Sequence, residues 1–190
     1  MTPQPPADPS REAGLAVWRT YSAVHASLAG HLARELSRAT GYSEADFQVF
    51  DALLDAPATR MRVLDLRWKL QWEKSRLSHH LARMCDRGLV RRETCATDAR
   101  GWDVLLTPAG REAAEHARRV RESSVRRLVL DTLGPDLLDR LSEAAGLLAE
   151  RLERAADEDP ECRAARPEPA ERPNGRAAQS APAASPAQPG

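Results

Sequence analysis

The residues best suited to chemistry lie in one run, Glu73-Lys74-Ser75-Arg76-Leu77-Ser78-His79-His80-Leu81-Ala82-Arg83-Met84. At about 100° per residue, Leu77, Leu81 and Met84 share one stripe of a helix, while Ser75, Arg76, His79, Arg83 and Asp86 lie on the other side. The first stripe belongs against a core. The second carries short hydroxyls and long cations, the set that reaches phosphates and the donor and acceptor edges of bases in a major groove. His80 falls nearer the buried edge and reads as structural. His79 and His80 point about 100° apart and make a poor metal pair, and Glu112 and His116 share a face without a third ligand.

No other chemistry competes with this face. The chain has no Gly-x-Ser-x-Gly elbow, phosphate-cradling glycine loop, dinucleotide fingerprint or catalytically spaced cluster of histidines and carboxylates. No enzyme activity, cofactor or metal is therefore expected.

The flanking residues state how such a helix is held. Val63, Leu66 and Leu70 form a short apolar face before it, and Gln71-Trp72-Glu73 has the length of a turn between two crossed helices. Gly88 ends the helix. Leu89-Val90-Arg91-Arg92-Glu93-Thr94 reads as a strand and Trp102-Asp103-Val104-Leu105-Leu106-Thr107 as its return, with Trp102, Val104 and Leu106 alternating toward a core. The tip between them, Cys95 to Gly101, carries Asp98 and Arg100 on turn-forming neighbours. Helix, turn, helix and two-strand hairpin make a winged helix-turn-helix, so the fold class is mainly α with a small β-hairpin wing.

Outside this unit the pattern is helical. From Arg11 to Arg38, Leu15, Trp18, Tyr21, Val24, Leu28, Leu32 and Leu36 recur at three and four residues, and Gly41 follows as a stop. Ser43-Glu44-Ala45-Asp46 is a capping box that opens a helix with Phe47, Phe50, Leu53 and Leu54 on its buried face, ended by Pro57. Thr107-Pro108 is an N-cap followed by proline at the first helical position. Gly134-Pro135 breaks the helix that follows, and Leu138, Leu141, Ala145, Leu148 and Leu152 then form a coiled-coil-like seam.

The expected organisation is a proline-rich, disordered leader over 1–10, a folded region over 11–156 and a disordered Pro/Ala-rich tail over 157–190. Within the folded region, 43–107 is the winged unit, and 11–38 with 108–155 supply helices whose apolar stripes the winged unit cannot cover alone. Association as a symmetric dimer would bury them and present two helices to successive major grooves.

Overall charge, taken alone, argues against a nucleic-acid partner, because 28 Lys and Arg balance 28 Asp and Glu in 190 residues, but the distribution of charge is the relevant quantity. Between Arg60 and Arg100, eleven cations face five carboxylates, a net of plus six, and most of the other carboxylates lie later in the chain. Lys69 and Lys74 are the only lysines; that preference for arginine, with abundant alanine, suggests a high-GC bacterial gene. Cys85, Cys95 and Cys162 show neither paired nor zinc spacing, which fits a reducing compartment. With no apolar run long enough for a membrane span, the expectation is a soluble, cytoplasmic protein.

Taken together, these segments resemble the MarR family of bacterial transcriptional regulators, over roughly Leu15 to Leu152. The resemblance is carried by Asp65-Leu66-Arg67-Trp68-Lys69-Leu70, by Lys74-Ser75-Arg76-Leu77-Ser78 and by Arg87-Gly88-Leu89-Val90-x-Arg92. Asp98-Ala99-Arg100-Gly101 and Leu106-Thr107-x2-Gly110 complete it. Arg67 stands where the family commonly has alanine, and Ala99 where it commonly has glycine. The resemblance implies a homodimer on palindromic double-stranded operator DNA, usually repressing its own or a neighbouring gene and often released by a small phenolic or otherwise aromatic ligand. It implies DNA contacts from Lys74, Ser75, Arg76, Ser78, His79 and Arg83, with Arg100 in the adjacent minor groove positioned by Asp98. The apolar stripes themselves mark Leu15, Leu138, Leu141, Ala145, Leu148 and Leu152 for dimerisation, and Trp18, Tyr21 and His25, at helical spacing, read either as plain core, the commoner case, or as a candidate effector pocket. The family's oxidation-sensing branch carries a reactive cysteine in the first helix, and this chain has none there. The alternative is a winged-helix scaffold for protein partners without specific DNA binding, which has no need of the plus-six surface.

Overall fold

The computed structural model describes residues 9–94 and 101–158. In chain order these form α1 (Pro9–Thr40), α2 (Glu44–Leu54), β1 (Arg60–Arg62), α3 (Val63–Leu70), α4 (Lys74–Asp86), β2 (Val90–Thr94) and β3 (Trp102–Leu106). Then come α5 (Pro108–Val125), a π-helical turn (Arg126–Leu130) and α6 (Asp131–Glu158). Asp98, Arg100, Cys95 and nearly all of the expected leader and tail lie outside the described residues.

The helix boundaries follow from local hydrogen bonding. At the start of α2, Ser43 Oγ accepts from the Asp46 amide at 3.1 Å, and the Ser43 amide donates to Asp46 Oδ2 at 2.9 Å, closing the capping box. α4 ends where Gly88 N donates to Cys85 O and Leu89 N to Met84 O, at 2.8 and 3.0 Å. Thr107 caps α5 by accepting from Gly110 N at 2.9 Å. Its hydroxyl donates back to Gly88 O at 2.6 Å, so one side chain joins the end of α4 to the start of α5. Gly134, at φ 69° and ψ 172°, kinks the start of α6, and Pro135 follows without an amide to donate.

The core lies between α2, α3, α4 and the sheet. Val49, Phe50, Leu53, Leu66, Leu77, Leu81, Met84 and Val104 are buried, together with Leu36 from the end of α1. The expected apolar stripe of α4 is therefore its buried face. Trp72, just before the N-cap residue Glu73, and Leu77, four positions into the helix, are both buried, the arrangement of a hydrophobic staple.

The sheet differs from the expected two-strand hairpin. It has three antiparallel strands in the order β1-β3-β2, with Arg60 opposite Leu105 and Val90 opposite Leu106. β3 is thus central, and its side chains do not simply alternate. Trp102, expected on the core face, is 53% exposed, whereas Asp103 is only 6% exposed because Arg60 of β1 reaches across to it. Arg60 Nε donates to Asp103 Oδ2 at 2.7 Å and Nη1 to Glu93 Oε2 at 3.0 Å, tying all three strands at the base of the wing.

The outer helices behave differently along their length. Leu32 and Leu36, in the second half of α1, are buried, and this helix packs on α5. Leu15, Val17, Trp18, Tyr21 and Val24 of its first half are exposed, as are Leu137, Leu141, Leu147, Leu148 and Leu152 of α6. No helix among the described residues is long and apolar enough to cross a membrane.

Candidate nucleic-acid interface

The polar side of α4 is open to solvent along its whole length. Lys74, Ser75, Arg76, Ser78, His79, Arg83 and Asp86 are all exposed, while Leu77, His80, Leu81 and Met84 beneath them are buried. Six side chains marked for DNA contact thus share one ridge. With Glu73 as N-cap and no carboxylate in the first turn, the amide end of the helix adds its positive potential to Lys74 and Arg76.

The ridge is held from below and from the side. Arg92 of β2 donates from Nη2 to Ser78 O at 3.0 Å, fixing the first strand of the wing against α4. Arg76 lies over the Trp72 ring, with its guanidinium carbon 4.2 Å from the ring centroid. Arg83 Nη2 lies 2.9 Å from His80 Nδ1. Arg67, a departure from the family pattern, lies half-buried against the ring of Trp68, at 5.9 Å.

Asp46 anchors this arrangement to α2. It is 3% exposed, its Oδ2 accepts from Ser43 and from Arg87 Nη1 at 3.0 Å, and its Oδ1 faces His80 Nε2 at 3.2 Å. Burial pushes its carboxyl upward, but the contacts with His80, Ser43 and Arg87 outweigh that and hold it well below the usual carboxylate range. A lowered carboxyl stabilises the fold above its unfolded value, and that stabilisation is lost as pH falls toward the folded value. Asp46→Asn is therefore expected to cost about 2 kcal/mol at neutral pH. It should also flatten the loss of stability that the parent shows below roughly pH 4. Urea midpoints measured at neutral and acid pH check both parts; equal acid sensitivity in the two proteins would count against it.

Tyr21 stacks on His25 and meets Trp18 at a tilt, with ring centroids 5.9 and 5.6 Å apart. The shallow hollow beside them, about 510 Å³, is lined by Ala16, Val17, Thr20, Tyr21 and Val24, all from α1. The described residues of the same chain provide no second wall. A separate open cleft of about 610 Å³ lies between α1 and α5, lined by Glu35, Arg38, His116, Arg119, Ser124 and Arg127 among others. There, hydrogen bonds from Ser124 and Arg127 keep the Glu35 carboxyl below its ordinary value. Leu15, Leu141, Ala145, Leu148 and Leu152 all face solvent, and Leu138 is half-buried.

Sequence reasoning missed the supports of the ridge. Trp72, Arg76 and His80 recur every four residues, a same-face spacing visible in the sequence, although Trp72 itself reads as part of a turn. The Asp46 link to His80, 34 positions away, had no local signal beyond the capping box that already accounted for Asp46.

No protein-family model and no curated protein matches the chain. Solved structures do. AbsC, a MarR family transcriptional regulator from Streptomyces coelicolor, is 34% identical over 73% of this chain and 93% of its own, with a TM-score of 0.69. Sco3205, a MarR family transcriptional regulator from the same organism crystallised in complex with DNA, is also 34% identical. It is matched over 73% of this chain and 90% of its own, with a TM-score of 0.68. A mutant of MarR from E. coli complexed with operator DNA shares the fold at 22% identity, over 75% of this chain and 99% of its own, with a TM-score of 0.62.

Proposed function

Because the chain belongs to the MarR family of transcriptional regulators, we propose that it is a sequence-specific DNA-binding regulator with α4 as its recognition helix. It binds palindromic operator DNA as a homodimer and represses its own or a neighbouring gene. The observation that carries this reading is the exposed ridge of Lys74, Ser75, Arg76, Ser78, His79 and Arg83 on a helix whose opposite face is buried. The side chains of Arg76 and Arg83 can address base edges, and Lys74 and the hydroxyls can address phosphates. Arg100, with Asp98 two positions before it, enters the neighbouring minor groove from the wing. The DNA complex of the 34% identical Sco3205 supports the same partner class.

The apolar first half of α1 and the leucines of α6 supply the dimer surface, and two-fold symmetry sets the two α4 helices about 34 Å apart, one turn of duplex. A small aromatic ligand, for which the group of Trp18, Tyr21 and His25 is the candidate contact, releases the DNA. It does so by favouring a dimer whose recognition helices are wrongly spaced, and its effect is bounded by its preference for that state.

Two substitutions separate reading from positioning. Arg76→Ala is expected to weaken binding to the preferred sequence by about 1–3 kcal/mol and to relax preference at one base pair. Arg100→Ala is expected to lower the slope of log affinity against log salt by about one. Anisotropy titrations across a salt series measure both. Unchanged affinity and slope in both variants would remove these residues from the interface.

A further inference from the structure

Beneath the recognition ridge lies a chain of polar contacts that base reading does not itself use. Asp46 Oδ2 is already engaged by the amide and hydroxyl of Ser43 and by Arg87, each at 2.9–3.0 Å, which leaves Oδ1 to face His80 Nε2 at 3.2 Å, bent off the ideal line. His80 is 5% exposed and meets Trp72 edge-on, with ring centroids 5.4 Å apart. On its outer side, His80 Nδ1 lies 2.9 Å from Arg83 Nη2. Arginine has only donors, so this contact requires a lone pair on Nδ1, and a neutral ring then carries its proton on Nε2, on the side of Asp46 Oδ1.

We infer that His80 is a positioning residue for DNA recognition: Asp46 orients its ring, and its Nδ1 holds the guanidinium of Arg83 in the direction from which it meets a base edge. A long side chain that must be ordered on binding loses affinity, and one already held loses less. Trp72, which meets His80 at nearly a right angle, also carries Arg76 over its ring, so both arginines of the ridge are referenced to the same buried pair. This inference rests on the reading of α4 as the recognition helix.

The test uses the full chain and a duplex selected from a random-sequence pool by the wild-type protein. His80→Gln keeps an amide where Nε2 faces Asp46 but removes the acceptor beside Arg83. His80→Asn keeps an acceptor at the Nδ1 position and gives up the contact with Asp46. Arg83→Ala is expected to weaken binding about ten-fold. His80→Gln should weaken it about five-fold in the wild-type background and not at all in the Arg83→Ala background, the signature of two residues acting as one. His80→Asn should bind near wild type even where it lowers the unfolding temperature as much as His80→Gln does.

Equal losses from His80→Gln in both backgrounds, or losses in both histidine variants that follow their unfolding temperatures, would reduce His80 to a packing residue. A weakened Arg83→Ala with an unchanged His80→Gln would overturn this inference alone. An unchanged Arg83→Ala would overturn it together with the place of Arg83 on the recognition face. A wild-type chain that selects no sequence from the pool would overturn both readings.

Discussion

A chain carrying Leu141→Glu and Leu148→Glu together is expected to sediment as a monomer and to lose about 10²–10⁴-fold in operator affinity, the contribution of linking two half-site contacts. Leu141 and Leu148 are 42% and 55% exposed in the single chain, and Leu137, Leu147 and Leu152 beside them are exposed as well. α6 spans 28 residues and packs chiefly against the π-helical turn that precedes it. A helix with that row of leucines in water is stable only when its apolar face is covered. The exposed first half of α1 offers a matching surface, with Leu15 59% and Trp18 54% exposed. Two carboxylates in the seam would be desolvated without partners on association, which disfavours the dimer strongly. The winged unit lies apart from the substitutions and should keep its near-ultraviolet signature. Sedimentation equilibrium and anisotropy on the same samples check the prediction, and a variant that remains dimeric would place the interface elsewhere.

Gly110→Ala is expected to cost about 3 kcal/mol or more in folding stability. A Cβ built there would fall 1.7 Å from Leu89 O and 2.7 Å from Leu89 C, both backbone atoms that no rotamer change can move aside. α5 would have to retreat from the end of α4, breaking the bonds that Thr107 makes to Gly88 O and Leu89 O. The same junction sets β2 against α4, so specific DNA binding should fall with stability. Gly146→Ala is the control, because its Cβ meets nothing within 4 Å in a helix interior and is expected to be neutral or to stabilise by about 0.5–1 kcal/mol. Chemical denaturation of the two variants decides it. Comparable small effects would mean that the α4–α5 junction relaxes easily.

What could be read from the sequence was local or periodic. The stripe of Leu77, Leu81 and Met84 named the buried face of α4 correctly, because a short amphipathic helix against one core follows its 3.6-residue period closely. Ser43 with Asp46 and Thr107 with Pro108 marked helix boundaries, and Gly134 with Pro135 a kink inside α6 rather than the expected break between helices, through chemistry confined to a few neighbouring residues. The family resemblance carried the winged unit as a whole, and the solved relatives agree with it.

The remainder depended on distant partners. β1 is three residues long and reads Arg-Met-Arg; only its pairing with β3, some 43 positions on, makes it a strand. That pairing brings Arg60 over Asp103, which is why an aspartate is buried where alternation placed Trp102 inward. The long apolar pattern of α1 was legible as a helix, but which part of it is covered was not. Leu32 is buried and Leu36 fully so where α1 packs on α5, whereas Trp18 and Tyr21 are left exposed by the described residues.

The central claim is sequence-specific binding by a dimer. Fluorescence anisotropy of the full chain against the duplex upstream of its own gene and a scrambled duplex, across a salt series, tests it most directly. Tight binding to the native fragment alone, a steep salt slope and two protomers per duplex at saturation are expected. Equally weak binding to both duplexes, at every salt concentration, would contradict it.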